Sequence, residues 1–398
     1  MLSLTMKEVN RYRIITEVIN GHLKVKDASK IIKRSERQVY RIKAQVVKVG
    51  AQGVVHKGKG KRSPRWITEK IKNKINSLYK NKYEGFNLTH MTEFLNEEEK
   101  IKISRESLRA ILIDFGSYMP WKKHPKHRQW REPSAREGQM LQFDTSDHEW
   151  LETRGPKLYL IGGIDDATSS CPGARFAPSD CTIENMRVLK RIVDTKGAPL
   201  VFYCDKDANF KTAKYESIYQ QLKAENAQTQ IERALKELGV QIIYANSPQA
   251  KGRVERAWGT FQDRLCSELR LHNISTLEAA NHYLLEEYIP KHNRKFSHPA
   301  KDPGTAYQPV PEGLNLNNIF CIKDERTVAS DNTIAYRTKY YQILPNSYRI
   351  SFVKAKVMVH EWLDGSIHIF YEGKELKHKQ IPKKRIEFTR EELLTVKY

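Results

Sequence analysis

The sequence runs to 398 residues, with 69 Lys+Arg against 47 Asp+Glu and a formal net charge of +22. A hydrophobic fraction of 39%, with 10% aromatic residues, suffices for globular cores and excludes wholesale disorder. The length accommodates about two to four domains.

No run approaches about 18 apolar residues, which argues against a membrane span. The start, Met1–Lys7, lacks the apolar stretch of a secretory signal. The five cysteines (Cys171, Cys181, Cys204, Cys266, Cys321) are scattered and never spaced as CxxC. A disulfide framework or a cysteine zinc site is therefore not expected, and a cytoplasmic location is. The charge is one-sided. Residues 1–137 hold 32 Lys+Arg against 14 Asp+Glu, whereas 138–398 hold 37 against 33. A basic front joined to a near-neutral remainder points to a polyanion-binding region, with nucleic acid as the partner.

Residues 1–50 predict three short helices. Tyr12, Ile15 and Ile19 mark the first, stopped at Asn20-Gly21, and Ala28, Ile31 and Ile32 mark the second. Ser35-Glu36-Arg37-Gln38 has the form of a capping box and opens the third, with Val39, Ile42 and Val46 inward. Arg37, Gln38, Tyr40, Arg41 and Lys43 are left outward, as on a helix-turn-helix recognition helix that reads base edges. An ordinary three-helix bundle with a solvated last face is the alternative. Residues 51–65 form a basic linker in which Lys57, Lys59, Lys61, Arg62 and Arg65 alternate with glycine. It serves either as an arm tracking DNA phosphates or as a plain tether.

The helical pattern repeats over 66–116. Ile67, Ile71, Ile75 and Leu78 mark one helix, and Met91, Phe94 and Leu95 a second. A third, capped by Ser104, carries Leu108, Ile111 and Leu112 inward and Arg105 and Arg109 outward. Two helix-turn-helix candidates suggest a bipartite DNA site. A second basic linker, 117–137, holds Lys122, Lys123, Lys126 and Arg128 beside His124 and His127. Without a cysteine pair it reads as a DNA-contacting tether and not as a zinc site.

From 138 the pattern becomes strand–strand–strand–helix–strand–helix–strand–helix, which predicts a mixed sheet flanked by helices over 138–289. Met140–Phe143 ends in Asp144, and Leu200–Cys204 ends in Asp205. Ser247-Pro248 can cap a long final helix with a Val254, Trp258, Phe261, Leu265 stripe and Glu255 at its edge. A strand-end aspartate alone is often a turn former, and a glutamate between two arginines is usually solvated. Together the three carboxylates can converge into the hard-oxygen set that Mg²⁺ prefers. Two such ions (Mg²⁺ or Mn²⁺) activate an attacking oxygen and stabilise a leaving one in phosphodiester chemistry. Asp207 lies close enough to raise a question of register; Asp205 is favoured because it directly follows the apolar run.

Gln142-Phe143-Asp144, Tyr203-Cys204-Asp205 and Asn246–Arg256 (with Lys251, Arg253, Glu255 and Arg256) resemble the three signature blocks of integrase-core transposases. The overall pattern is similar to bacterial insertion-sequence transposases of the ISNCY type. That resemblance implies an N-terminal pair of all-α helix-turn-helix domains, a central α/β ribonuclease-H-like core and a small C-terminal β-barrel. It implies double-stranded DNA partners (element ends and target), a homodimer or higher oligomer on paired ends, and a nucleoid-associated protein. Lys251, Arg253 and Arg256 are expected at DNA. The 49 residues between Asp205 and Glu255 exceed the usual integrase spacing, and a helical insertion over 211–230 is expected to account for them.

Residues 290–318, rich in Pro, Asn and Gly, read as a connector. Residues 319–398 alternate in short runs around an Asp364-Gly365 hairpin signal and predict about five strands of a small barrel plus a tail. Such a barrel binds DNA or a second subunit, or is simply a packing module. The leading expectation is a DNA transposase. The alternative is a DNA-binding regulator derived from one, with a core that has lost catalysis.

Overall fold

The computed structural model describes residues 4–56, 58–59, 66–119, 132–211, 228–245, 252–345 and 349–382. The chain divides into two compact units, 1–75 and 76–398.

In the first unit, α1 (Met6–Ile19), α2 (Val25–Ile31) and α3 (Glu36–Val49) surround Ile15, Val18, Ala28, Val39, Ile42, Val46 and Val54. Thr5 and Glu8 form a reciprocal capping box at α1. At α3 the Ser35 hydroxyl accepts the Gln38 N–H (3.4 Å). Apolar residues three or four apart make each inward stripe, as the sequence pattern predicts.

The second unit takes in the end of α4 (Glu69–Asn81), then α5 (Leu88–Glu97) and α6 (Arg105–Asp114). Asn87 caps α5 through the His90 N–H (2.8 Å) and Ser104 caps α6 through the Ser107 N–H (3.2 Å). Ile71, expected inward, is 39% exposed, because on α4 only Ile75 is buried.

The central sheet has the strand order β3-β2-β1-β4-β5. Its strands are β1 (Met140–His148), β2 (Leu158–Asp165), β3 (Gly173–Ala177), β4 (Val201–Cys204) and β5 (Gln241–Tyr244). β1–β2–β3 is an antiparallel meander, while β4 and β5 run parallel to β1. Helices α7 (Thr182–Lys196) and α8 (Gln230–Glu237) share a core with Phe143, Ile161 and Phe202. On the other face α9 (Gly252–Leu271) and α10 (Leu277–Tyr283) share one with Leu160, Ile164 and Phe176. Covering both faces is what parallel strands require. The Val254, Trp258, Phe261, Leu265 stripe is buried as expected. Most of the expected helical insertion (212–227) and the Ser247-Pro248 cap lie outside the described residues.

The expected connector is partly helical. α11 (Ile289–Phe296) continues α10 through a π turn over Leu284–Tyr288, just after which Pro290 stands, and buries His292; α12 (Leu316–Ile319) follows. The expected closed barrel is not found. Strands β6 (Cys321–Thr327), β9 (Lys356–Trp362), β10 (Ile367–Tyr371) and β11 (Lys374–Leu376) form one antiparallel sheet, ordered β11-β10-β9-β6. Strands β7 (Thr333–Tyr336), β8 (Lys339–Ile343) and β12 (His378–Ile381) form another, ordered β12-β8-β7. Closure would need every strand to pair on both sides. Here the two sheets instead share a core of Val328, Ile334, Tyr341, Phe352, Val359 and Ile369 and keep separate edges among the described residues. The Asp364-Gly365 hairpin is present, closed by Trp362 N–H to Ser366 O (2.9 Å).

Candidate active site

β1 and β4 pair in parallel through Met140↔Val201, Leu141↔Phe202 and Gln142↔Tyr203. Continued by two residues, that register sets Asp144 opposite Asp205. Asp205 directly follows the last residue of β4, and both aspartates are half-buried. Parallel neighbours are about 4.8 Å apart, so Asp205 leaves β4 beside Asp144. The strand expected to end in Asp144 instead runs on to His148, because its far half stays paired with β2, and Asp144 lies mid-strand.

The face of β1 that Asp144 occupies is marked by its neighbours. Side chains alternate along a strand, so Gln142, Asp144 and Ser146 share one face. Gln142 Oε1 accepts the Val254 N–H (3.2 Å), and Gln262 Nε2 donates to Ser146 Oγ (2.9 Å). The two anchors are roughly 13 Å apart along β1 and about 12 Å apart along α9, so helix and strand run alongside each other. Asp144 lies between them. Glu255 sits in the first turn of α9 and is exposed.

Among the described residues, no group of three or more His, Cys, Asp or Glu is arranged to hold a metal ion. The structure thus sets Asp144, in mid-strand, beside the end of β4 where Asp205 stands, and brings the helix bearing Glu255 to the Asp144 face of β1, without closing the three into a cage. As a donor set, three carboxylates suit Mg²⁺ or Mn²⁺.

Of the residues expected at DNA, Arg37, Tyr40 and Arg41 are exposed on α3 and Gln38 is half-buried. Lys43 turns back and donates to the Val18 carbonyl at the end of α1 (3.2 Å). Lys59 pairs with Glu8 (2.5 Å). Arg105 and Arg109 both reach Glu106, at 2.7 and 3.7 Å. Arg256 is exposed, whereas Arg253 turns inward to Asp166 (Nε to Oδ1, 3.0 Å). Lys57, Lys61, Arg62, Arg65, Lys122, Lys123, Lys126, Arg128 and Lys251 lie outside the described residues.

Sequence reasoning missed the two acids that end β2. Asp165 and Asp166 are fully buried and saturated with donors. Asp165 accepts from the Gly138 N–H (2.7 Å) and from the Thr168 N–H and hydroxyl (2.8 Å each). Burial nonetheless pushes its pKa above the usual carboxylate value, against the pull of those bonds. The available signal is a pair of acids directly after an apolar strand.

Fold and site together define a chain of two compact units whose mixed α/β sheet sets Asp144 of β1 beside Asp205 at the end of the parallel strand β4, with a long helix along that face. Along almost its whole length it is similar to proteins named as transposases, one of them that of an insertion sequence. It is 29% identical over 387 residues to a Sinorhizobium fredii protein named "putative transposase", covering 96% of this chain and 83% of that one. It is 28% identical over 423 residues to the transposase for insertion sequence IS1202 of Streptococcus pneumoniae, covering 96% and 89%. Among solved structures it is similar to the HTLV-2 integrase catalytic core in complex with magnesium. That match has 15% identity and a TM-score of 0.26, over 37% of this chain and 82% of that one. It is also similar to the simian T-cell lymphotropic virus intasome in complex with the PP2A regulatory subunit B56 gamma. There the identity is 12% and the TM-score 0.31, over 78% and 100%. No family model matches the chain. Among the described residues, no helix is long and apolar enough to cross a membrane.

Proposed function

We propose that this chain is a DNA transposase that binds the terminal inverted repeats of a mobile element, cleaves at its ends and joins the 3′-hydroxyls to target DNA. The observation that carries the reading is the β1–β4 register, which when continued sets Asp144 beside Asp205 at the end of β4, on the face of β1 along which the helix bearing Glu255 runs. The full-length similarity to insertion-sequence transposases supports it.

Asp144, Asp205 and Glu255 are the carboxylates that would hold two divalent ions, Mg²⁺ or Mn²⁺. When bound, such ions activate the attacking oxygen and stabilise the leaving one. The chain's own residues bind and orient the DNA. Water is the nucleophile for cleavage and the DNA 3′-hydroxyl for joining, so no covalent protein–DNA intermediate is needed. The excess cations of the first 137 residues supply phosphate contacts, and Arg37 and Arg41 on the exposed face of α3 are placed to read bases. An oligomer on paired ends completes the reading.

The test is Mg²⁺-dependent nicking and joining of DNA carrying the cognate ends. Asp144→Asn, Asp205→Asn and Glu255→Gln should each abolish both steps while DNA retention stays within about twofold, because shape is kept and one charge is lost. Wild-type protein that neither nicks nor joins in Mg²⁺ or Mn²⁺ overturns the proposal in favour of a DNA-binding regulator.

A further inference from the structure

We propose that Gln142, Asp166 and Arg253 are positioning residues that fix the first turn of α9, and with it Glu255, against β1. The inference rests on the catalytic reading of Asp144 and Glu255 given above.

Gln142 is 1% exposed and lies two residues before Asp144 on the same face of β1. Both ends of its amide are used. Oε1 accepts the Val254 N–H (3.2 Å), and Nε2 donates to Asp166 Oδ1 (2.7 Å). The partners fix the orientation of the amide, since only its oxygen can accept from a backbone N–H and only its nitrogen can donate to a carboxylate.

Asp166 is fully buried and takes donors from Gln142, Arg253 and Ser134, which lie far apart in the chain. Besides Gln142, Oδ1 takes Arg253 Nε (3.0 Å), while Oδ2 takes the Ser134 N–H and hydroxyl (2.8 Å each). Its own N–H donates to the Met140 carbonyl (3.0 Å), so the acid is tied to β1 by backbone as well as side chain.

These bonds end on the two residues immediately before Glu255. The Val254 N–H belongs to the first turn of α9, where backbone donors have no partner within the helix. A strand side chain accepts from one of them here. Arg253 adds an ionic strut from the same turn to the same acid. Glu255 itself is exposed and makes no hydrogen bond or ion pair among the described residues. The backbone of the first turn therefore sets where its carboxylate can reach. A buried charged pair adds little net stability over an apolar one, but it admits one geometry. Partners of this kind orient metal-binding side chains, and their loss typically costs about 10–100-fold in affinity or activity.

The experiment uses the full-length protein with Gln142→Leu, which keeps volume and removes both bonds, and Asp166→Asn, which keeps shape and removes the charge. Gln262→Leu, at the other β1–α9 anchor, is the control. Hydrogen exchange of residues 252–258, without metal or DNA, should rise about tenfold or more in Gln142→Leu and Asp166→Asn and stay at wild type in the control. Joining by both variants should fall about 10–100-fold in Mg²⁺, with a raised half-saturating metal concentration and partial recovery in Mn²⁺, while Glu255→Gln does not recover. Unchanged exchange in both variants overturns the proposal, and so does raised exchange with wild-type joining and metal dependence. If the wild-type protein neither nicks nor joins, the catalytic reading has failed, and the exchange arm alone decides whether the three residues fix the helix.

Discussion

The Nε2 of His90 lies 2.9 Å from Oε1 of Glu268, and neither side chain is open to solvent. Among the described residues the His90 Nδ1 has no partner, which assigns the proton to Nε2 and makes the imidazole the donor. The other Glu268 oxygen accepts from the Tyr283 hydroxyl (2.6 Å) and from Lys291 Nζ (3.2 Å). One carboxylate on α9 thus ties together α5, α10 and α11. A second pair, Arg264 with Glu93, crosses the same junction through both guanidinium ends, at 2.7 and 3.2 Å. α5 is thus docked on the helix that carries Glu255, with Glu268 about 20 Å along that helix from Glu255 at the 1.5 Å rise per residue. It is built into the core unit and is not a detached head.

Removal of His90 would strand a buried carboxylate with two partners in place of three, and would delete a ring stacked on Phe86 at 4.5 Å. His90→Ala should therefore lower stability by about 2–4 kcal/mol, and His90→Gln, which can still donate, by less. Urea denaturation at neutral pH measures the loss. A midpoint unchanged in His90→Ala would exclude the pair as a structural tie.

Acid should weaken the same region before it reaches the carboxylates. Burial, with Arg264 nearby, holds the His292 imidazole down to about 4. Burial, with Lys323 and Arg233, does the same to His360, also to about 4. Both stay neutral in the folded chain while their unfolded counterparts protonate near 6.5. Between those values the unfolded state binds more protons, so stability is full above about pH 6.5 and falls as pH drops towards 4. His292 packs among Phe261, Tyr288 and Phe296, so His292→Phe should keep the packing and flatten that slope. Thermal midpoints from pH 4 to 8 provide the check; a parallel shift of the whole curve, with no change of slope, would reject the assignment.

Local chemistry was legible where one residue pattern had one physical outcome. Ser35 followed by Val39, Ile42 and Val46 can bury its stripe only as a capped helix, and Val254, Trp258, Phe261 and Leu265 only against a sheet face. What stayed hidden depends on partners distant in sequence. Alternation marked the C-terminal strands but did not reveal that β9 pairs with β6 and β10 while β8 pairs with β7 and β12. Lys43 and Arg253 stand at outward-reading positions, yet one finds a helix-end carbonyl and the other a buried acid. Pro290 masked a helix because a proline that follows a π turn inside a helix looks the same in sequence as proline in a loop.

Base reading and phosphate binding should separate on the first helical unit. Arg37 and Arg41 are exposed on α3, whereas Lys59 follows it and is paired with Glu8. In the full-length protein, Arg37→Ala or Arg41→Ala should cost about 1–3 kcal/mol on cognate ends and little on random duplex. Lys59→Ala should weaken both alike and reduce the salt slope by about one. Titrations across a range of salt concentrations distinguish these effects. Equal losses on cognate and random DNA for all three variants would show that α3 does not read bases.

Joining should also be possible in trans. Each chain carries one set of Asp144, Asp205 and Glu255, yet a mobile element presents two ends for insertion into one target. A monomer would have to release one broken end to process the other. Two copies remove that difficulty, and one copy could then hold an end while its neighbour cuts it. Mixing full-length Glu255→Gln protein, which keeps its DNA-reading helices, with a variant lacking residues 1–55, which keeps its carboxylates, should restore joining that neither shows alone. Light scattering on paired ends should give at least a dimer for the wild type. Failure to complement, together with a monomer that completes joining, would exclude an assembly in which copies share the work.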